Sequence, residues 1–165
     1  MDDRYFIRNI PRVPGIYVMR TKTDDIAYVG LSSKLRDRID QHLYLRDSSV
    51  TTGVQATVLN PDQIAQVDYW QHPIFEDADV LRAAEFIAFE VFKPALRSRG
   101  RISKTALAKL QDELFVGRIR AILNEAPSGS HIPQNVRNIW RLVECLSEAL
   151  ADLHREISSN KGDTR

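Results

Sequence analysis

Pro14 to Gly30 reads PGIYVMRTKTDDIAYVG, and this stretch restricts the fold more than any other in the chain. Gly15 to Met19 and Ile26 to Gly30 are short runs of β-branched and aromatic residues, the composition of strands. Thr21 to Asp25 between them is polar and turn-like. The two runs predict one antiparallel hairpin, with Tyr17 and Tyr28 close together and each near a glycine. A cross-strand aromatic pair stabilises a hairpin by about 0.2–1 kcal/mol, so packing alone accounts for two neighbouring tyrosines at this point.

Ser32 and Ser33 predict a helix cap, and a helix should follow from Lys34 to about Arg46. Leu35, Ile39 and Leu43 form its buried stripe at four-residue spacing. Arg38 and His42 share one edge of that stripe, where side chains can reach a cleft. The polar stretch from Asp47 to about Asp62 reads as a loop. Ala65 to Trp70 is a third strand, ended by Pro73. A second helix should run from Asp77 to Phe92 and stop before Pro94. Ser103 caps a third helix to about Glu125, with Gly117 as a soft spot. Ala126 to Ser130 is a break. A fourth helix is expected from about Gln134 to Ser158, and the tail 159–165 as disordered.

The fourth helix carries Val136, Ile139, Val143, Leu146, Leu150, Leu153 and Ile157 at alternating spacings of three and four. That is a heptad seam. One reading packs it on the third helix through Leu107, Leu110 and Leu114. The other pairs it with its copy in a second chain, a homodimer through residues 134–158.

The apolar runs are too short to span a bilayer. Met1 to Arg4 shows no basic head followed by an apolar stretch, so no signal peptide is expected. The lone Cys145 leaves no internal disulfide and fits a reducing cytoplasm. A net charge of +1 decides nothing about nucleic acid, but its distribution does more. No acidic residue lies between Glu90 and Asp112, while Lys93, Arg97, Arg99, Arg101, Lys104 and Lys109 do. The run is either a solvated face or a phosphate-contacting stripe.

Glu85 lies on a helix that is apolar around most of its circumference, with Leu81 and Phe89 four residues to either side. A buried carboxylate must find a positive partner or a metal, or take up a proton. Arg82 is the local structural partner. The functional alternative is a ligand for Mg²⁺, which often takes one or two carboxylates and keeps waters for the rest.

Taken in order, these residues resemble the GIY-YIG nuclease superfamily. Gly15-Ile16-Tyr17 and Tyr28-Val29-Gly30 stand for the name motif. LSSKLRDRIDQH, Leu31 to His42, is similar to the family helix with its arginine at Arg38 and a frequent histidine at His42. AAEFIAFEVFKPAL, Ala83 to Leu96, is similar to the glutamate helix followed by Lys-Pro-x-Leu. The resemblance covers about Ile10 to Leu96. It implies an α/β (α+β) fold with a small mixed three-stranded sheet flanked by helices, to which the later helices add a C-terminal extension. It also implies a metal-dependent endonuclease acting on DNA. Glu85 would hold Mg²⁺ or Mn²⁺, which polarises the phosphate and stabilises the leaving 3′ oxygen. Arg38 would bind the non-bridging oxygens. Tyr17 is the favoured general base, Tyr28 positions water or the metal shell, and His42 contacts phosphate or relays a proton. Free tyrosine has a pKa of about 10, and Arg38 and the metal are expected to favour the phenolate.

Arg97 stands where many members carry an asparagine that helps organise the site. This departure motivates one rival, a nucleic-acid-binding module that no longer cuts; the C-terminal helix motivates another, a protein-interaction or dimerisation domain. The expected organisation is a nuclease domain over 1–100, a helical extension over 101–158 and the tail. DNA contacts are expected from Lys34, Arg97, Arg99, Arg101 and Lys104.

Overall fold

The structure is a computed structural model that describes residues 7–45, 59–97 and 102–133. Beyond these it describes Val143, Leu146, Ser147, Leu150, Ala151, His154 and Arg155. The chain divides into two compact units, 1–133 and 134–165.

The predicted hairpin forms as β1 (Gly15–Thr21) and β2 (Ile26–Ser32), with Tyr17 opposite Gly30. Asp24 takes the left-handed backbone conformation that its turn requires, with φ of 63°. The third strand, β3 (Ile64–Gln71), pairs antiparallel with β1 and sets Tyr69 opposite Tyr17. The sheet is wider than the three strands expected. β4 (Leu96–Arg97) adds a parallel edge beside β2, and β5 (Gly129–His131) adds an antiparallel edge beside β3, giving the order β4-β2-β1-β3-β5. Both additions are only two or three residues long, too short to show a strand period. β5 overlaps the end of the stretch expected to be a break and runs one residue past it. It holds because Tyr69 lies across Gly129, where any β-carbon would collide with the Tyr69 ring.

Two apolar layers cover the two sheet faces. On one face Tyr17, Met19, Tyr28, Val67 and Tyr69 pack with Leu35, Ile39 and Leu43 of α1 (Leu35–Leu43). On the other face Ile16, Val18, Val29 and Trp70 pack with α2 (Ala78–Phe92) and with Ile119 and Leu123 of α4 (Glu113–Asn124). Alternation along β1 assigns neighbours to opposite faces, as a period of two requires.

The start of α1 differs from the expected serine cap. Its first amides donate to backbone carbonyls instead, Leu35 to Val13 and Arg36 to Pro11. The Arg36 guanidinium ties the same N-terminal segment down through the carbonyls of Ile10 and Arg8. Asp77 caps α2 by accepting from the amides of Asp79 and Val80. Lys93 ends it in the left-handed conformation, and Pro94 offers no amide to continue.

The third helix is broken, and not at Gly117. Ser103 caps α3 (Lys104–Lys109), and Asp112 then starts α4 by accepting from Leu114 and Phe115. A second N-cap ends the first helix because Asp competes for backbone amides in a non-helical conformation. Gly117 lies inside α4 with open space around it. α3 and α4 both pack on α2 within the first unit. Leu107 and Leu114, expected to meet the fourth helix, are exposed. In the second unit Val143, Leu146 and Leu150 are helical and exposed. The rest of the seam, the tail 159–165 and most of the 47–62 loop lie outside the described residues.

Candidate active site

The strand register places Tyr17 across from Gly30, and that pairing shapes the site. A β-carbon on Gly30 would sit 2.6 Å from the Tyr17 hydroxyl and 2.8 Å from Cε1 of Tyr28. Only glycine leaves room for both phenols on this face. The two rings lie 5.9 Å apart, tilted by 44°. The expected neighbourhood of Tyr17 and Tyr28 is therefore present, and its local cause is an absent side chain.

α1 brings His42 to the same point. The Tyr17 hydroxyl and His42 Nε2 are 2.9 Å apart in a buried hydrogen bond. The His42 ring lies 5.9 Å from that of Tyr17 and 5.5 Å from that of Tyr28. His42 is fully buried, so it does not line an open cleft as its place on the helix edge suggested. Arg38, one turn earlier and partly exposed, bonds Gln41 Oε1 and lies near enough for its charge to favour the ionised form of both phenols. Glu85 is buried on α2, and its negative charge is felt at Tyr28. All five expected site residues thus converge.

The electrostatic balance differs from the expected one. Burial is the main effect on Tyr17 and pushes its pKa well above 10; the neighbouring Tyr28 adds to this, and Arg38 offsets only part of it. Burial also raises Tyr28, with Glu85 adding to the rise and Tyr17 and Arg38 opposing it. Both tyrosines are phenols at neutral pH, and Tyr17 is the more strongly held. With its proton in place, Tyr17 meets His42 Nε2 as a phenol.

The donors near Tyr28 suit a hard cation. Glu85 offers carboxylate oxygens and Tyr28 a phenol oxygen, with no sulfur ligand. Among the described residues no three His, Cys, Asp or Glu cluster together. Such a set fits Mg²⁺ or Mn²⁺ that keeps most of its waters and takes phosphate oxygens as further ligands. It does not fit zinc, which needs three or four protein ligands.

The expected DNA contacts are placed unevenly. Lys34 is exposed at the start of α1, one turn before Arg38, and Lys104 is exposed at the start of α3. The Arg97 backbone pairs with Val29, between the motif residues Tyr28 and Gly30. Its side chain, Arg99 and Arg101 lie outside the described residues. A second tyrosine–histidine contact escaped the sequence reading. The Tyr44 hydroxyl and His131 Nε2 are 3.0 Å apart, although 87 positions separate them. No short-range spacing signals a pair that only β5 brings together.

Gly30→Ala is expected to cost about 1–3 kcal/mol through overpacking and to disturb both tyrosines; urea unfolding and the near-ultraviolet tyrosine signal measure this. Tyr17→Phe is expected to cost about 1–3 kcal/mol near neutral pH, because it leaves His42 Nε2 buried without that partner. The same variant tests the raised pKa. Above about pH 10 the unfolded chain releases the Tyr17 proton while the folded protein keeps it, so stability falls as pH rises. Unfolding midpoints followed from about pH 8 to about pH 11 should fall less steeply for Tyr17→Phe, by up to about 1.4 kcal/mol per pH unit. Parallel curves would contradict the shift.

Residues 13–77 match the family model described as the GIY-YIG catalytic domain. That span holds both tyrosine strands, α1 and β3, and ends at Asp77, the cap of α2; Glu85 lies beyond it. The chain is 35% identical over 63 residues to "UvrABC system protein C" of Synechococcus sp. (strain JA-2-3B'a(2-13)), covering 38% of this chain and 10% of that protein. The protein of the same name from Methanococcoides burtonii gives the same identity and coverage. That of Synechococcus sp. (strain JA-3-3Ab) is 54% identical over 33 residues, 20% of this chain and 5% of the relative. The similarity spans a tenth or less of these relatives' length. With the paired tyrosines on adjacent strands and their arginine on the helix that follows, the chain carries a GIY-YIG domain.

Proposed function

We propose that this protein is a metal-dependent endonuclease that hydrolyses phosphodiester bonds in DNA. The observation that carries the reading is the buried hydrogen bond between the Tyr17 hydroxyl and His42 Nε2, with Tyr28, Arg38 and Glu85 near it. A water attacking phosphorus must lose a proton, and Tyr17 is too strongly protonated to wait as a phenolate. The pair removes that obstacle. As the Tyr17 oxygen takes a proton from the attacking water, its own proton passes to His42 Nε2. His42 becomes an imidazolium and Tyr17 stays a neutral phenol throughout.

The guanidinium of Arg38 donates to the non-bridging phosphate oxygens, where negative charge grows in the transition state. Tyr28, between Tyr17 and Glu85, orients the water. Glu85 would hold the divalent cation, which supplies polarisation of the phosphate and stabilisation of the leaving oxygen. Lys34, Arg97, Arg99, Arg101 and Lys104 supply charge for the DNA backbone.

The decisive experiment incubates purified protein with supercoiled plasmid in Mg²⁺, in Mn²⁺ and in chelator. Cleavage is expected with either metal and not with chelator. Glu85→Gln should abolish it while DNA binding persists. Arg38→Ala should lose about 10²–10³-fold in rate and Tyr17→Phe about 10²–10⁴-fold. Wild-type rates from folded Glu85→Gln protein would sink the reading. DNA binding without cleavage in any metal would favour a module that only binds.

The seam through Val143, Leu146 and Leu150 supports a further element of this proposal, since all three are exposed. Two copies joined there would bring two sites to one duplex, as cutting both strands in one encounter requires. Light scattering is expected to give a dimer mass for wild type and a monomer for Leu146→Glu/Leu150→Glu. A wild type that stays monomeric at high micromolar concentration rules the homodimer out.

A further inference from the structure

α1 carries two groups of the site, Arg38 and His42, yet its attachment to the sheet is mainly apolar. Leu35, Ile39 and Leu43 are buried on β1 and β2. Apolar burial is non-directional and fixes the depth of a helix better than its rotation. A hydrogen bond is directional and weakens steeply with misalignment. The Tyr17–His42 bond therefore needs a second point that fixes the last turn of α1.

The Tyr44–His131 contact lies at that point. Tyr44 immediately follows α1, and its amide donates to the Asp40 carbonyl, so it continues the last turn. Its hydroxyl meets His131 Nε2 at 3.0 Å, with the rings edge-on at 71°. His131 is buried and stands in β5 opposite Val67 of β3, which in turn stands opposite Met19 of β1. Tyr17 is two residues from Met19 on the same face. The circuit from Tyr17 through His42, the end of α1, Tyr44, His131 and back across the sheet is closed. β5 also lies outside the 13–77 match.

We infer that His131 is a positioning residue: through Tyr44 it fixes the rotation of the last turn of α1 and so holds His42 Nε2 against the Tyr17 hydroxyl. The role in turnover rests on the nuclease reading above; the role in geometry does not. Residues two apart on a helix do not face one another, so Tyr44 reaches His42 through the backbone and not by direct contact.

The test uses Tyr44→Phe, which removes one oxygen and keeps the ring. Imidazole nitrogen spectra of ¹⁵N-labelled full-length protein resolve its four histidines. The His42 Nε2 resonance should move in Tyr44→Phe towards its place in Tyr17→Phe, where the bond is lost outright. In plasmid cleavage Tyr44→Phe should lower kcat by about ten-fold, with KM changed by less than about two-fold, the signature of misplacement and not of lost binding. His131→Leu should reproduce both effects, and His131→Gln, which keeps a hydrogen-bonding group, should restore much of each. An unmoved His42 resonance in folded Tyr44→Phe overturns the inference. So does His131→Gln behaving like His131→Leu. If the wild type cuts no DNA, the nuclease reading fails by itself, and the His42 resonance still decides the positioning role.

Discussion

The site depends on a buried hydrogen bond between a phenol and an imidazole, the Tyr17 hydroxyl and His42 Nε2. Each group would cost free energy if buried alone, and each satisfies the other. The bond joins the middle strand of the sheet to the last turn of the helix above it. Gly30 has no side chain, so the Tyr17 ring can lie across β2 to reach His42. A larger residue at that position would push the phenol away. The register of β1 with β2, the depth of α1 and the burial of both rings are all conditions for this contact.

The same burial sets the chemistry. Tyr17 next to Arg38 suggested a phenolate stabilised by a nearby cation, but full burial acts more strongly in the other direction. A guanidinium that is itself partly solvated compensates only part of the desolvation of an anion. The proton therefore stays on Tyr17, and the proposed mechanism gives His42 its importance as the acceptor for that proton. On that proposal His42, expected to contact phosphate or relay a proton, is the partner without which Tyr17 could serve as a base only at strongly alkaline pH.

Much of this was legible in the sequence, for identifiable reasons. The hairpin, α1, β3 and α2 were legible because period-two and period-3.6 patterns report burial over five or more residues. Tyr17, Tyr28, Arg38, His42 and Glu85 were singled out as a set through the ordered motifs of the resemblance, which the hairpin, α1 and α2 carry. The two edge strands were not, since β4 and β5 are held by tertiary pairing and by Tyr69 over Gly129, features with no local period. The division between α3 and α4 was missed because Gly117 drew attention as a breaker. An exposed glycine inside a helix costs only about 1 kcal/mol, whereas the Asp112 side chain offers two amides an alternative to the helix.

The site is also closed, and that bears on how it works. Tyr17 is fully buried, and Tyr28 and Glu85 are at most 3% exposed. A phenol so placed takes no proton from bulk water, so under the nuclease proposal the attacking water arrives with the phosphodiester. Arg38 is the partly exposed member of the group and has both phenols within electrostatic reach. Under the nuclease proposal, a phosphate drawn to its guanidinium comes beside both phenols, and exposure sets the order: phosphate meets Arg38 first, and Tyr17 last. Burial that holds the Tyr17 proton in the free protein also guards against idle ionisation, and in the proposed mechanism the base becomes available only when substrate brings its own water to the Tyr17–His42 pair.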